Sequence, residues 1–429
     1  MHDLLLRLFP ICRSLAGPGN CRTLDILRET VDMERLEIPS GAEIFDWTVP
    51  EEWTPRAAHI TGPNGKIYAD FAANNLHLVS HSEPVEVELD RDELLEHIYS
   101  LPDQPDLIPY VSRYYKRDWG FCMTEQQKRS LPEGRYKVLV DADLEPGNMS
   151  IGEAFLPGDS KREILISTYI CHPSMANDNL SGVVTAAGLY SLMKGRGSRR
   201  LSYRFLFLPE TIGSIAWLAA NRKIVKTRTE ACLVLSSIGN DAPFTYKASR
   251  NGATDLDRIA TRAIAGRGVR VEFTPVTGSD ERQFCSPGFD LPAGLLCRSY
   301  PGTFPFYHTS GDTPDRTPPH VLQESLEVLR AICLGVEANT IGYRRTDPYC
   351  EPMLSKRRLY NTVSIRKGVD FDRSKDPRTA LMWVLNQCDG KTPLVAIAEK
   401  SELDILALAD VAERAAEAGV LARFSRLKT

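Results

Sequence analysis

From residue 136 onward, the chain alternates short, almost wholly apolar runs with amphipathic stretches, and this pattern constrains the fold most. The apolar runs are YKVLVDA (136–142), REILISTYI (162–170), YRFLFLP (203–209), ACLVLSS (231–237) and LPAGLLC (291–297). Helical patterns lie between and after them, at about 180–194, 213–222, 254–265 and 319–339. A strand with no polar face must be covered on both sides, so the expected fold is α/β, with a mostly parallel mixed sheet sandwiched by helices. In such sheets, chemistry collects just past the carboxyl ends of the strands.

The rest of the chain has other textures. Residues 1 to about 40 hold two helical patterns, the second being CRTLDILRETVDME. Residues 43–90 break into short alternating runs, with Asn64-Gly65 between His59-Ile60 and Ile67-Tyr68 as a hairpin signal. A helix near DRDELLEHIYSL and an aromatic loop, YVSRYYKRDWGF, follow. The last 75 or so residues carry RTALMWVLNQC, PLVAIAE and ELDILALADVAERAAEAGVL, three helices and a short tail that suggest a winged helix. The expected division is a catalytic domain over 1–42 and 91–350, an inserted β-rich domain over 43–90, and a winged-helix-like domain over 351–429. A length of 429 residues suits two or three domains.

Lys and Arg number 52 against 56 Asp and Glu, so the formal charge is −4 and there is no bias toward nucleic acid. The last long helix, the one that would enter a DNA groove, carries Glu402, Asp404, Asp410, Glu413 and Glu417 against Arg414 alone. Nucleic acid is therefore not an expected partner. No apolar stretch reaches the roughly 18 residues of a membrane span, and the N-terminus reads as an amphipathic helix, with Asp3, Arg7 and Arg13, not as a secretory signal. The ten cysteines show no C-x-x-C spacing. They read as reduced, buried residues, and the expected location is the cytoplasm.

Four segments carry residue types suited to chemistry. In ISTYICHPSMANDNLSG a strand runs into a loop holding His172 and Asp178. Imidazole plus carboxylate suits zinc or another borderline divalent ion, although a loop histidine and a helix-capping Asp are also open readings. In FLFLPETIGSIAWL, Glu210 directly follows a strand. It is a metal ligand, a general base or a helix-start carboxylate. His308 lies in FPFYHTSGDTPD, ahead of Asp312. In GSDERQFCSPGFDLP, Asp280, Glu281 and Arg282 share a turn, as surface charge or with Arg282 gripping a substrate carboxylate.

Taken together and in order, these segments resemble the zinc aminopeptidase superfamily. More closely, LFPICRSLAG, PSGAEIFDWTVPEEW, NLHLVSH, LPDQPDLIPYVSRYYKRDWGFC, ICHPSMANDNLSG, PETIGS and SDERQFCSPGFDLP are similar to a bacterial aminopeptidase-like family with an inserted β domain and a C-terminal winged helix. The resemblance implies that His172 is the first histidine ligand, Asp178 the bridging Asp and His308 the last histidine. It places Glu210 in the Glu-pair region, as base or ligand, with base the favoured role. The superfamily's Asp for a second zinc is replaced by Ser236, so one zinc, held by His172, Asp178 and His308, is expected. Tyr169 stands where the closer family often has His. The implied reaction is hydrolysis of an amide bond, either removing a peptide's N-terminal residue or deacylating a small N-acyl amino acid-type metabolite. The other reading is a degenerate relative that binds a ligand or metal without turnover. Arg282, Tyr307, Asp280, Glu281 and Arg113 are the expected substrate-binding residues. The expected partners are a small-molecule or short-peptide substrate and, in a homo-oligomer, further copies of the chain.

Overall fold

A computed structural model describes residues 1–359 and 377–427. Residues 360–376, inside the expected 351–429 module, lie outside the described residues, as do 428 and 429. The chain divides into two compact units, residues 1–251 with 267–327 and residues 252–266 with 328–429.

The first unit is built on an eight-stranded mixed sheet. Its strand order is Glu34–Pro39, Asn148–Leu156, Ser202–Leu208, Glu163–Tyr169, Thr229–Leu235, Ala293–Cys297, Phe244–Lys247 and Gly268–Val271. The four central strands, Ser202–Leu208 through Ala293–Cys297, are mutually parallel. Almost every residue in them is buried, which is why they read as unbroken apolar runs. The helices Ser181–Gly195 and Ile212–Ala220 of this unit fall where the periodicity places them, as do Asp255–Ala263 of the second unit and Pro319–Asn339. One core cluster packs Leu165, Leu206, Val234 and Leu295 of the central strands against Trp217 and Phe284.

Tyr136–Ala142 is an exception. It belongs to the strand Arg135–Glu145, which pairs in a separate four-stranded antiparallel sheet with Glu52–Thr61, Ile67–Asp70 and Val85–Asp90. Its burial alternates along the strand, as expected for a sheet with one covered face. The β-rich part therefore draws on residues well beyond the expected 43–90. Its core is Trp53, Ile60, Tyr136, Val138 and Val140. The hairpin at Asn64-Gly65 is present, with Gly65 at φ 75°. The second N-terminal helix runs Pro18–Arg28, and the chain is extended again from Glu34, short of the helical pattern's end.

In the second unit, helices Pro377–Gln387, Leu394–Ser401 and Ile405–Glu417 accompany an antiparallel pair of strands, Ile341–Arg345 and Leu421–Ser425. Asp404 caps the last helix, which buries Ile405, Leu408, Val411, Ala412 and Ala415 on one face. Among the described residues, no helix is long and apolar enough to cross a membrane.

Candidate metal centre

The central parallel strands end side by side, and the loops leaving them build the site. After Tyr169 the chain turns through His172 to Asp178 and into the helix that starts at Ser181. Polar residues tie this loop down from several directions. Asn177 Oδ1 accepts the Gly239 N–H at 2.8 Å, and Asn179 Nδ2 donates to Thr168 Oγ1 at 2.9 Å and to the Leu235 carbonyl at 3.0 Å. Gly182 packs so closely that a Cβ there would come within 2.6–2.8 Å of Asn179, Thr168 and the Leu235 carbonyl. From the N-terminal segment, the buried Arg13 donates Nε to the His172 carbonyl at 2.9 Å.

His172, Asp178 and His308 each bring one ligand-type atom into a group whose members all lie within 4.8 Å of one another. Asp178 is fully buried. Its Oδ2 lies 3.0 Å from His308 Nε2, yet both atoms are buried without a hydrogen-bond partner. Apart from each other, these two buried atoms have no partner, and a cation between them satisfies both. The donor set, two imidazoles and a carboxylate, is one that zinc takes, with a fourth position left over. The residues present therefore fit a zinc ion.

Burial pushes the His172 imidazole down to about 4, which keeps it neutral and able to donate a lone pair. Burial works to raise the Asp178 carboxyl, but the His172 and His308 rings and the Tyr169 hydroxyl together bring it down to about 2. Tyr169, at the end of its strand, donates its hydroxyl to Asp178 Oδ1 and lies 2.7 Å from Ser236 Oγ. Burial raises this phenol well above its usual range.

Glu210 borders the same cavity of about 350 Å3 as His172 and His308. Trp47, Tyr110, Tyr114 and Tyr115 wall it. Burial pushes the Glu210 carboxyl up to about 8, with the Asp280 carboxylate adding to the rise. The Ser279 hydroxyl donates to Glu210 Oε1 at 2.5 Å. A carboxyl poised near neutrality beside a candidate metal site is suited to proton transfer.

The expected substrate-binding residues fall into two groups. Tyr307 stacks on His308 with ring centroids 3.9 Å apart, and Arg282 donates Nε at 3.1 Å to the carbonyl of Ser279, the residue whose hydroxyl meets Glu210. Asp280 and Glu281 are fully buried and do not face the cavity. Asp280 accepts the Thr211 N–H at 2.7 Å and the Ser214 hydroxyl at 2.9 Å, holding the turn that carries Glu210. Glu281 pairs with the buried Lys247 at 2.7 Å. Arg113 is engaged with the Tyr99 hydroxyl and with Asp118 at 3.7 Å. Each of the three thus has protein partners of its own, although Asp280 Oδ2 is buried without a hydrogen bond.

Sequence reasoning gave no site role to Asp312, Tyr110 or Lys247. Asp312, inside the YHTSGDT motif, accepts the N–H groups of Asn177 and Asp178. Tyr110 lies 5.3 Å, ring to ring, from both His172 and His308, and its hydroxyl meets that of Tyr114 at 2.5 Å. Lys247 has no signal in the sequence, because its only mark is the buried partner it finds in the fold.

Comparison with known proteins agrees with this arrangement. Residues 2–339 match the family model described as a domain of unknown function, DUF4910, and residues 341–423 match a winged helix-turn-helix model. A Clostridium acetobutylicum protein named as a putative polysaccharide biosynthesis protein with aminopeptidase-like domain is 39% identical over 94% of this chain and 92% of its own length. The crystal structure of a putative peptidase from Clostridium acetobutylicum superposes with a TM-score of 0.91 at 37% identity, over 99% of this chain and 96% of that one. A zinc aminopeptidase from Bacillus subtilis shares the fold, with a TM-score of 0.56 at 12% identity, over 78% of this chain and 93% of that one. The strand-end centre thus sits in a zinc-aminopeptidase-type fold, and the chain belongs to the aminopeptidase-like DUF4910 family, with a winged helix-turn-helix module at its C-terminal end.

Proposed function

We propose that the protein is a zinc-dependent hydrolase of amide bonds. The observation that carries this reading is the pair of bare donors, Asp178 Oδ2 and His308 Nε2, converging beside His172 in a cavity that Glu210 also borders. His172, Asp178 and His308 would hold the ion, which when bound supplies Lewis acidity to a carbonyl and to water. Glu210 takes the proton from the attacking water and delivers it to the leaving nitrogen. Ser279 orients the Glu210 carboxyl through its hydrogen bond. Tyr307, and the Arg282 charge beside it, steady the oxyanion that forms when the carbonyl carbon becomes tetrahedral. The tyrosine and tryptophan walls exclude water from the reacting groups.

The substrate is either the free amino end of a peptide or a small N-acylated metabolite of the amino acid type. A cavity of about 350 Å3 is at the small end of ligand pockets and favours the second. The name of the Clostridium acetobutylicum relative directs the search to the acylated amines of polysaccharide synthesis. Metal analysis of the purified protein, followed by assay of aminoacyl amides against N-acetylated amino compounds, tests the reading. One equivalent of zinc with hydrolysis of either class supports it. No metal, or bound metal without turnover, would favour a binding protein instead.

A further inference from the structure

The two oxygens of Asp178 have different surroundings. Oδ2 faces His308 Nε2 and has no hydrogen bond, whereas Oδ1 accepts the Tyr169 hydroxyl. That hydroxyl lies 2.7 Å from Ser236 Oγ. Register explains the contact. Strands Glu163–Tyr169 and Thr229–Leu235 run parallel, with Thr168 opposite Leu235, so Tyr169 and Ser236 are the next residues along at the same edge of the sheet. All three side chains are buried.

A carboxylate with two free oxygens can bridge two cations, one on each oxygen. A second cation on Oδ1 would need further strong donors beside it. The chain places a phenol and an alcohol there. The phenol donates its proton to the hydrogen bond with Oδ1 and lies 2.7 Å from the Ser236 hydroxyl, and hydroxyls are poor ligands for a borderline ion beside imidazole and carboxylate. The Tyr169 side chain itself occupies this side of the carboxylate, since its hydroxyl is in contact with Oδ1.

We infer that Tyr169 and Ser236 together plug the second-cation position on Asp178, so that the centre holds one ion and Oδ2 is turned toward it. The inference rests on the metal reading proposed above. A hydrogen bond that merely stabilised a buried carboxylate would leave metal stoichiometry independent of these two residues; a plug makes stoichiometry depend on them. Tyr169 acts through Asp178 and is a positioning residue.

The test is metal content by mass spectrometry after loading with zinc and removing the excess, for the full chain and two variants. The unaltered protein is expected to hold one equivalent. Tyr169→His combined with Ser236→Asp removes the plug and supplies an imidazole and a carboxylate, and is expected to hold two. Tyr169→Phe keeps the ring but loses the donor. It is expected to keep one equivalent and bind it about 10- to 100-fold more weakly, the scale of losing a partner behind a metal ligand. Two equivalents in the unaltered protein would overturn the inference, as would one equivalent in a folded double variant. If the double variant does not fold, Tyr169→His alone takes its place, and one equivalent in that folded variant overturns it. No zinc in the unaltered protein removes the metal reading and this inference with it, whereas one equivalent throughout with unchanged affinity removes the inference alone.

Discussion

Asp312 grips Asp178 from behind, its Oδ2 accepting the Asp178 N–H at 2.8 Å while its Oδ1 accepts the neighbouring N–H of Asn177 at 2.7 Å. One buried carboxylate thereby sets the backbone that presents another. Asp312→Ala leaves two buried N–H groups without acceptors and frees the loop. Zinc affinity should fall by about 10- to 100-fold, with secondary structure kept. Competition with a chromogenic chelator measures this, and an unchanged affinity would show that the loop is held by its other bonds.

Glu210→Gln keeps the shape of the side chain and removes its basicity. Turnover should drop by about 10²- to 10⁴-fold while metal content stays the same. Normal turnover with zinc bound would exclude Glu210 as the base.

Lys247 and Glu281 form an ion pair with no exposed side-chain surface on either partner. Lys247 also donates to the carbonyls of Thr274 and Thr277 at 2.6 and 2.5 Å. Replacing the lysine alone strands a buried carboxylate, so Lys247→Met should cost about 3–5 kcal/mol in denaturant unfolding. Lys247→Met with Glu281→Leu should cost less than the single change. If the double change is worse, the pair stabilises the fold by more than its mutual compensation.

Three buried carboxyls surround the site with raised values: Glu210 near 8, and Asp280 and Asp312 near 7, each chiefly through burial. A group whose folded value lies above its unfolded one favours the fold while protonated. Its contribution is complete below about pH 4 and is lost as pH rises through about 7 to 8. Chelator-stripped protein should therefore melt at progressively lower temperature from about pH 5 to about pH 9, and zinc-loaded protein should lose less, because the cation compensates nearby negative charge. A stripped protein that grows more stable over that range contradicts the reading.

The helix Ile405–Glu417 follows its cap at Asp404 with Asp410, Glu413 and Glu417 against Arg414. We propose a packing or subunit-contact role for this module, not DNA binding. Duplex DNA should show no retardation in a gel at low salt, where phosphate contacts are strongest. A shift that disappears with added salt would reverse the proposal.

Much of this architecture is legible in the chain itself. Local pattern marks His172, Asp178, Glu210 and His308 only as candidates, each with a bland alternative, and it is the resemblance to the aminopeptidase-like family that joins them and supplies their expected roles. Tyr136–Ala142 was misplaced because apolar content alone does not separate a strand covered on both faces from one covered on a single face. Its alternation, with Lys137 and Asp141 facing outward, was the better guide. Asp280 and Glu281 look like surface charge in sequence, since their partners Thr211, Ser214 and Lys247 come from distant segments. Tyr169 and Ser236 stand out as departures from the family pattern, but the hydroxyl contact between them depends on strand register, which no local pattern encodes.

The groups proposed to react and the rings that wall the cavity come from different parts of the chain. His172, Glu210 and His308 stand on loops anchored by the parallel strands or by Asp178, while Trp47 belongs to the short hairpin Glu43–Thr48, and Tyr110, Tyr114 and Tyr115 to a single loop. The two stretches differ in how they meet the ligands: Tyr110 donates its N–H to the His308 carbonyl at 2.8 Å and packs on both histidine rings, whereas Trp47 stands on a separate hairpin. If the proposed hydrolysis holds, the Trp47 hairpin is the stretch through which substrate choice can change while the ligands stay in place, and grafting it between relatives tests that.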